Sequence, residues 1–264
     1  MLRLPVAITL FTLALPVLAN MDAAREAYLA GNPMLAAQEA EPHAIAGEVE
    51  AMVIMGLVFS DGKEIAPDYP TAIRWLEKAA AQQSPDAQYT LGLFYLEGKG
   101  VKKDVKRALR YFEQSSTQGF APAQFQLGRM HIEGIGVEMN PEIGISLYAL
   151  AAEQGDIEAK YHLGVLYDNG QGIDPDPDEA VKLFTEAAEA GDARALNALG
   201  VMYASGRSVK ADRIKAYMLY HLAVSRGDDV AKTNMATLGF TMSRAQVKQA
   251  LLMAEHWKPG QPLP

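Results

Sequence analysis

Residues 87–122 read AQYTLGLFYLEGKGVKKDVKRALRYFEQSSTQGFAP, and this stretch decides the fold. Ala87, Leu91 and Tyr95 recur at i, i+4 and i+8, which lines one face of a first helix. Gly92 sits about 100° round from Leu91, where a missing side chain lets a neighbouring helix approach closely. Gly98 follows the last apolar residue and suits the left-handed position that ends a helix. Asp104 then offers a side-chain cap to a second helix carrying Ala108, Tyr111, Phe112 and the small pair Ser115-Ser116, which Gly119 stops. The stretch is an antiparallel helical hairpin with an apolar face that needs a cover.

The cover is more of the same unit. Glycine falls at Gly56, Gly92, Gly128, Gly164 and Gly200, always 36 residues apart, and a second series runs Gly62, Gly98, Gly134, Gly170, Gly206. Alanine keeps the same period from Ala51 through Ala87, Ala123, Ala159 and Ala195 to Ala231. Five Asx residues stand in register as caps: Asp68, Asp104, Asn140, Asp176 and Asp212, with Pro141 and Pro177 at first helical positions. Five such hairpins without insertion or deletion predict an all-α, α/α superhelical solenoid, each hairpin covered by the next.

The run Leu91-Gly92, Tyr95, Gly98, Gly100-Val101, Asp104, Ala108, Tyr111-Phe112 and Gly119 resembles the Sel-one-like repeat (SLR) family, a relative of the tetratricopeptide repeats with a longer turn between its helices. Leu163-Gly164, Tyr167, Gly170, Gly172-Ile173 and Leu199-Gly200, Tyr203, Gly206 repeat the likeness, which covers residues 51–230. Departures are local. Phe59 and His131 replace the tyrosine, Gly144 an alanine, and Glu64 and Ser208 the second turn glycine; weaker individual turns are expected there. His131 is expected to be a packed residue with a satisfied ring nitrogen.

The flanks read as caps. Residues 20–50, with Ala23 to Tyr28 and Pro33 to Ala46, suggest one more helical pair at the N-terminus without the glycine signature. Residues 231–264 close the other end, where Ser243-x-x-Gln246 is a capping box opening a helix to about Trp257. Residues 1–19 stand apart from the fold. Arg3 supplies a positive start, an apolar stretch runs from Leu4 to Leu18, and Val17-Leu18-Ala19 fits signal cleavage. The apolar run falls short of the roughly 20 residues a spanning helix prefers. A cleaved secretory signal is expected, hence the periplasm or secretion, with a retained anchor as the alternative and no membrane span after cleavage. The chain has no cysteine to carry lipid, form disulfides, bind metal as thiolate or act as a nucleophile.

Charge narrows the partners. Twenty-four basic against 32 acidic residues give a net charge of −8, which argues against nucleic acid, whose binders usually carry a basic stripe. Catalytic patterns fare no better. Ser60-x-x-Lys63 has the spacing of penicillin-interacting serine enzymes, yet it lies in a turn beside Gly62 and has no S-D-N or K-T-G to complete it. Asp174 to Glu179 resembles the start of a calcium loop but has Glu179 where the sixth-position glycine belongs; Asp176 reads as a helix cap with Glu179 as its box partner. The paired turn glycines precede an Asx cap rather than a lysine, so they are not phosphate loops. His43, His131, His162, His221 and His256 show no ligand spacing. No cofactor or metal is implied.

Solenoids of this kind bind along the face lined by successive first helices. On a 100° step, Tyr89, Leu93 and Leu96 lie at about 160°, 200° and 140° from Leu91, facing away from the Ala87–Leu91–Tyr95 stripe. The register then gives Phe125, Arg129 and Ile132 in the third unit, and Tyr161, Val165 and Asp168 in the fourth. Two readings stay open for Tyr89, Phe125 and Tyr161: they staple neighbouring units, or they contact a partner. The resemblance implies an exported adaptor that holds a peptide or amphipathic helix along its concave face without catalysis, family members serving envelope assembly, signalling or host contact. The alternative is a β-lactam-interacting or cell-wall-acting hydrolase.

Overall fold

A computed structural model describes residues 21–62 and 66–264; residues 1–19 with their signal pattern, Lys63 and Glu64 lie outside them. Every regular element among the described residues is a helix. An N-terminal pair, α1 (Met21–Leu29) and α2 (Pro33–Ala46), precedes the first hairpin, α3 (Val49–Asp61) and α4 (Tyr69–Ala81). The second hairpin is α5 (Pro85–Glu97) with α6 (Val105–Thr117), and the third α7 (Ala121–Glu133) with α8 (Pro141–Glu153). The fourth is α9 (Ile157–Asn169) with α10 (Pro177–Glu189), and the fifth α11 (Ala193–Ser205) with α12 (Arg213–Val224). A closing pair follows, α13 (Asp229–Gly239) and α14 (Arg244–His256). The described residues divide into two compact units, one ending at Ala87 and one running from Gln88 to Pro264.

Each hairpin closes on the same contact. A methyl group placed on Gly92 would lie 2.6 Å from Phe112 Cε1, on Gly164 2.8 Å from Phe184 Cε1, and on Gly200 2.5 Å from Tyr220 Cε1. The second helix therefore lays a buried ring against the bare backbone of the first. In the first hairpin Leu76 fills this place against Gly56. The third hairpin goes further: a methyl on Gly128 would meet the Gly144 carbonyl oxygen at 2.9 Å, and one on Gly144 the Gly128 oxygen at 2.7 Å. Gly144 lets α7 and α8 approach backbone to backbone.

The five Asx caps form as expected. Asp68, Asp104, Asn140 and Asp176 each accept the backbone N–H three residues on, at 2.9–3.2 Å, and Asp212 accepts two, from Ile214 and Lys215 at 2.9 Å. Ser243 and Gln246 complete their reciprocal box. The Glu179 carboxylate does not turn back to Asp176; it takes Lys182 Nζ at 2.9 Å. First helices end on left-handed glycine, as at Gly134, whose N–H reaches Met130 O. Ser208 holds the same left-handed region (φ 57°) without glycine's freedom, at a cost of about 1–2 kcal/mol.

A second ladder of caps serves the first helices. Asp156, Asp192 and Asp228 accept from Ala159, Ala195 and Ala231 at 2.8–2.9 Å, and Ser84 Oγ accepts from Ala87. The C-terminal segment is tied down: Trp257 Nε1 donates to Gln261 O, and Gly260 and Leu263 N–H groups donate to Glu189.

Candidate partner-binding face

The first helices of the second unit bring the nine predicted residues into several different environments. Tyr89 is half-buried, its ring 5.9 Å from Phe112 and 5.5 Å from Phe120, and the Gln126 side chain hydrogen-bonds to it. Phe125 is only 7% exposed, stacked on Tyr148 at 5.1 Å and close to His162 at 5.4 Å. Tyr161 packs on Phe184 and carries the Arg194 guanidinium over its ring at 4.4 Å. All three rings thus join neighbouring helices. Leu93 and Leu96 are half-buried against the core around Tyr95 and Phe112, and Val165 against that around Phe184. Ile132 turns into its own hairpin, its Cγ1 2.4 Å from where a Gly144 methyl would stand.

Two predicted residues carry charge. Asp168 is 15% exposed; its Oδ2 accepts from Arg207 at 2.7 Å, while Oδ1 is buried with no hydrogen-bond partner among the described residues. Arg129 is half-buried and makes no hydrogen bond or ion pair among the described residues, and its Nε is shielded from solvent. Its charge reaches Tyr89, Tyr148 and His162. The buried Nε–H is thus left without an acceptor, a cost that an oxygen of a bound ligand would recover.

Arg194 shows the satisfied counterpart. It bridges Glu158 at 2.8 Å and Asp192 at 2.6 Å. Burial opposes its charge, but the two carboxylates outweigh that and hold its pKa above the ordinary value. His162 feels the charge of both arginines. Burial, then Arg194, push its imidazole below the usual range, against the opposing pull of Glu158, so the ring is neutral at pH 7. Burial alone raises Tyr220 to about 12.

Gln126, His162, Arg194 and Arg207 belong to this face and were not among the predicted residues. Gln126 adjoins Phe125 and His162 adjoins Tyr161, one step round each helix, so a wider arc of the wheel would have included them. Elsewhere, Ser60 Oγ donates to Leu57 O within its own helix. His131 Nδ1 is buried without a hydrogen-bond partner among the described residues, contrary to the expected satisfied nitrogen. Among the described residues, no group of three metal-binding side chains gathers, and no helix is long and apolar enough to cross a membrane.

Within the second unit, successive 36-residue hairpins with a shared first-helix face define an α/α solenoid of the repeat type. Five consecutive Sel1 repeats match residues 49–84, 85–120, 121–156, 157–192 and 193–228, so the chain belongs to the Sel1 repeat family. A Sel1 repeat protein from Oxalobacter formigenes shares its fold at a TM-score of 0.77 and 29% identity, over 89% of this chain and 99% of that one. A protective antigen of uropathogenic Escherichia coli strains, displaying an SLR fold, aligns at a TM-score of 0.72 and 28% identity over 83% of this chain; this chain spans about half of it, 48%. An immunity protein from Pseudomonas aeruginosa, at 19% identity and a TM-score of 0.51, shares the fold alone over 82% of this chain and 85% of that one. No curated protein matches the sequence. Sel1 repeat proteins are generally protein-interaction scaffolds, typically without catalysis.

Proposed function

We propose that this chain is an exported adaptor that holds an extended peptide or an amphipathic helix of another protein along the first-helix face of α5, α7 and α9. The observation that carries the reading is Arg129. Its guanidinium sits half-buried within electrostatic reach of Tyr89 and His162 and makes no hydrogen bond or ion pair among the described residues, and a carboxylate of a bound segment would supply one. Leu93 and Val165, one repeat to either side in register, offer the apolar contacts that a helix-in-groove or extended segment uses. The aromatic residues Tyr89, Phe125 and Tyr161 keep the face rigid rather than supplying most of its contact area. Export rests on the first 19 residues; the N-terminus of the purified mature protein would be Asn20.

Photo-cross-linking tests the face directly. A photoreactive residue placed at Leu93 or Val165 should capture the same partner in an envelope fraction, and one placed at Glu153 on a second helix should not. Arg129→Glu, with its helical circular dichroism intact, should abolish that capture. Equal capture from Glu153, or capture unchanged by Arg129→Glu, would move the site off the first helices.

A further inference from the structure

The turn and second helix of the second repeat carry a charge pattern that the fold does not require. Between Glu97 and Glu113 stand six basic side chains and only three acidic ones, in a chain of net charge −8. Two of those acids are engaged: Glu97 pairs with Lys99 at 2.6 Å, and Asp104 caps the helix through the Arg107 N–H. Arg107 lies over the Tyr95 ring at 4.1 Å, and Tyr95 stacks on Tyr111 at 5.7 Å. Lys102, Lys103, Lys106 and Arg110 remain exposed and make no hydrogen bond or ion pair among the described residues.

Register shows that these cations are not there to close the turn. The positions of Lys102 and Lys106 are held by Glu138 and Glu142 one repeat on, and by Asp174 and Asp178 two repeats on. The same turn forms with either sign of charge. The cations also border a cleft of about 620 Å³, whose wall includes Tyr95, Val101 and Val105. A second hollow of about 200 Å³ lies between Arg107 and Arg110, beside Tyr111 and Gln114. No large apolar side chain is exposed between Glu97 and Glu113, so the surface has nothing to insert into a bilayer.

We propose that this surface docks an acidic segment of a partner protein, whose carboxylates pair with Lys102, Lys103, Lys106 and Arg110. Spacing fits such a ligand. Lys106 and Arg110 are one helical turn apart, about 6 Å along α6. Alternate side chains of an extended chain repeat at about 7 Å. An extended segment with acidic residues at every second position therefore meets both cations with one face. The site lies on the turn and second helix, apart from Arg129, so it stands or falls independently of binding along the first helices.

The test uses the full chain and a fluorescein-labelled decaglutamate, read by polarisation. Binding is expected at about 50 mM salt and should weaken about tenfold or more at about 300 mM. Lys102→Glu, Lys103→Glu, Lys106→Glu combined should cost more than about tenfold with melting temperature unchanged, while the three arginine replacements keep affinity within about threefold. Lys248→Glu, which changes an exposed cation of α14 outside both faces, should bind decaglutamate like the wild type. Failure of the wild type to bind at low salt, or equal binding by the triple glutamate variant, overturns the proposal. Co-sedimentation with phosphatidylglycerol vesicles in the absence of decaglutamate binding overturns it in favour of a membrane surface.

Discussion

The second and fourth repeats are built on one plan and dressed with opposite charges. Both lay a phenylalanine against a bare glycine, Phe112 on Gly92 and Phe184 on Gly164. Both cap the second helix with an aspartate, Asp104 and Asp176, at 2.9 and 3.0 Å. Around these fixed points, Lys102, Lys106 and Arg107 of one become Asp174, Asp178 and Glu179 of the other. Thr90 becomes His162, and Gln88, which pairs with Gln118, becomes Lys160, which pairs with Glu186. Residues that the two repeats share are those whose removal leaves a clash or an unpaired backbone group. The charge reversals at Lys102 and Lys106 sit where solvent makes the fold indifferent, so they are free to specify partners, whereas Thr90 and Gln88 change within the packed interior.

Breaking the shared points should have the largest effects, and equal ones. Gly92→Val and Gly164→Val drive a branched side chain into a buried ring, and each should cost about 3 kcal/mol or more, read from urea midpoints. Gly92→Ala combined with Phe112→Leu should recover part of the loss, because the smaller side chain gives way. A fourth repeat that tolerated Gly164→Val while the second failed would mean that the two glycines do different work. Next in size come the caps. Asp104→Ala and Asp176→Ala should each cost about 1 kcal/mol, and Asn at either place should nearly restore stability.

These shared points were legible in the sequence because each acts over a short span. A glycine beside Leu91, or an aspartate before a helix, declares its role within one turn, and five copies at 36 residues multiply the signal. The caps of the first helices were less legible: Asp156, Asp192 and Asp228 stand in register, but Phe120 interrupts them in the third repeat. Side chains on the candidate face were read less well for a geometric reason. A wheel centred on Leu91 divides a helix into an inside and an outside, whereas α7 packs on both α6 and α8. Ile132 therefore faces Gly144 in its own hairpin, and Asp168 reaches across to Arg207. Partners 39 residues apart in sequence, such as these two, leave no local trace.

The difference at Thr90 and His162 should show itself through pH. The unfolded chain protonates this imidazole near the ordinary value of about 6.5, and the folded chain only at lower pH. Stability from this group is therefore complete above about pH 6.5 and is lost as pH falls towards the folded value. The melting temperature of the wild type should drop more between pH 7 and pH 5 than that of His162→Phe, which keeps a ring beside Phe125 and Tyr161. The effect should be smaller than losing a cap, since the side chain is 38% exposed and Glu158, 3.8 Å away, favours the protonated form. Identical pH slopes in the two proteins would remove His162 as the source.

The smallest contrast is also the most discriminating, because it pits two chemistries in one place. In the second repeat Gln118 Nε2 donates to Gln88 Oε1 at 2.7 Å, and Gln154 to Gln124 repeats this in the third. The fourth repeat has Lys160 at the glutamine position, and its Nζ meets Glu186 Oε2 at 2.7 Å. Gln88 is 5% exposed, so Gln118→Ala removes a partner from a buried amide and should cost about 1 kcal/mol at any salt concentration. The Lys160 and Glu186 side chains are 18% and 40% exposed, and solvent screens them. Lys160→Ala should therefore cost only about 0.5 kcal/mol, a loss that shrinks as salt rises past about 0.5 M. Matching salt dependence for the two variants would mean that the ion pair acts through its alkyl packing, and that the fourth repeat carries its charge for something other than stability.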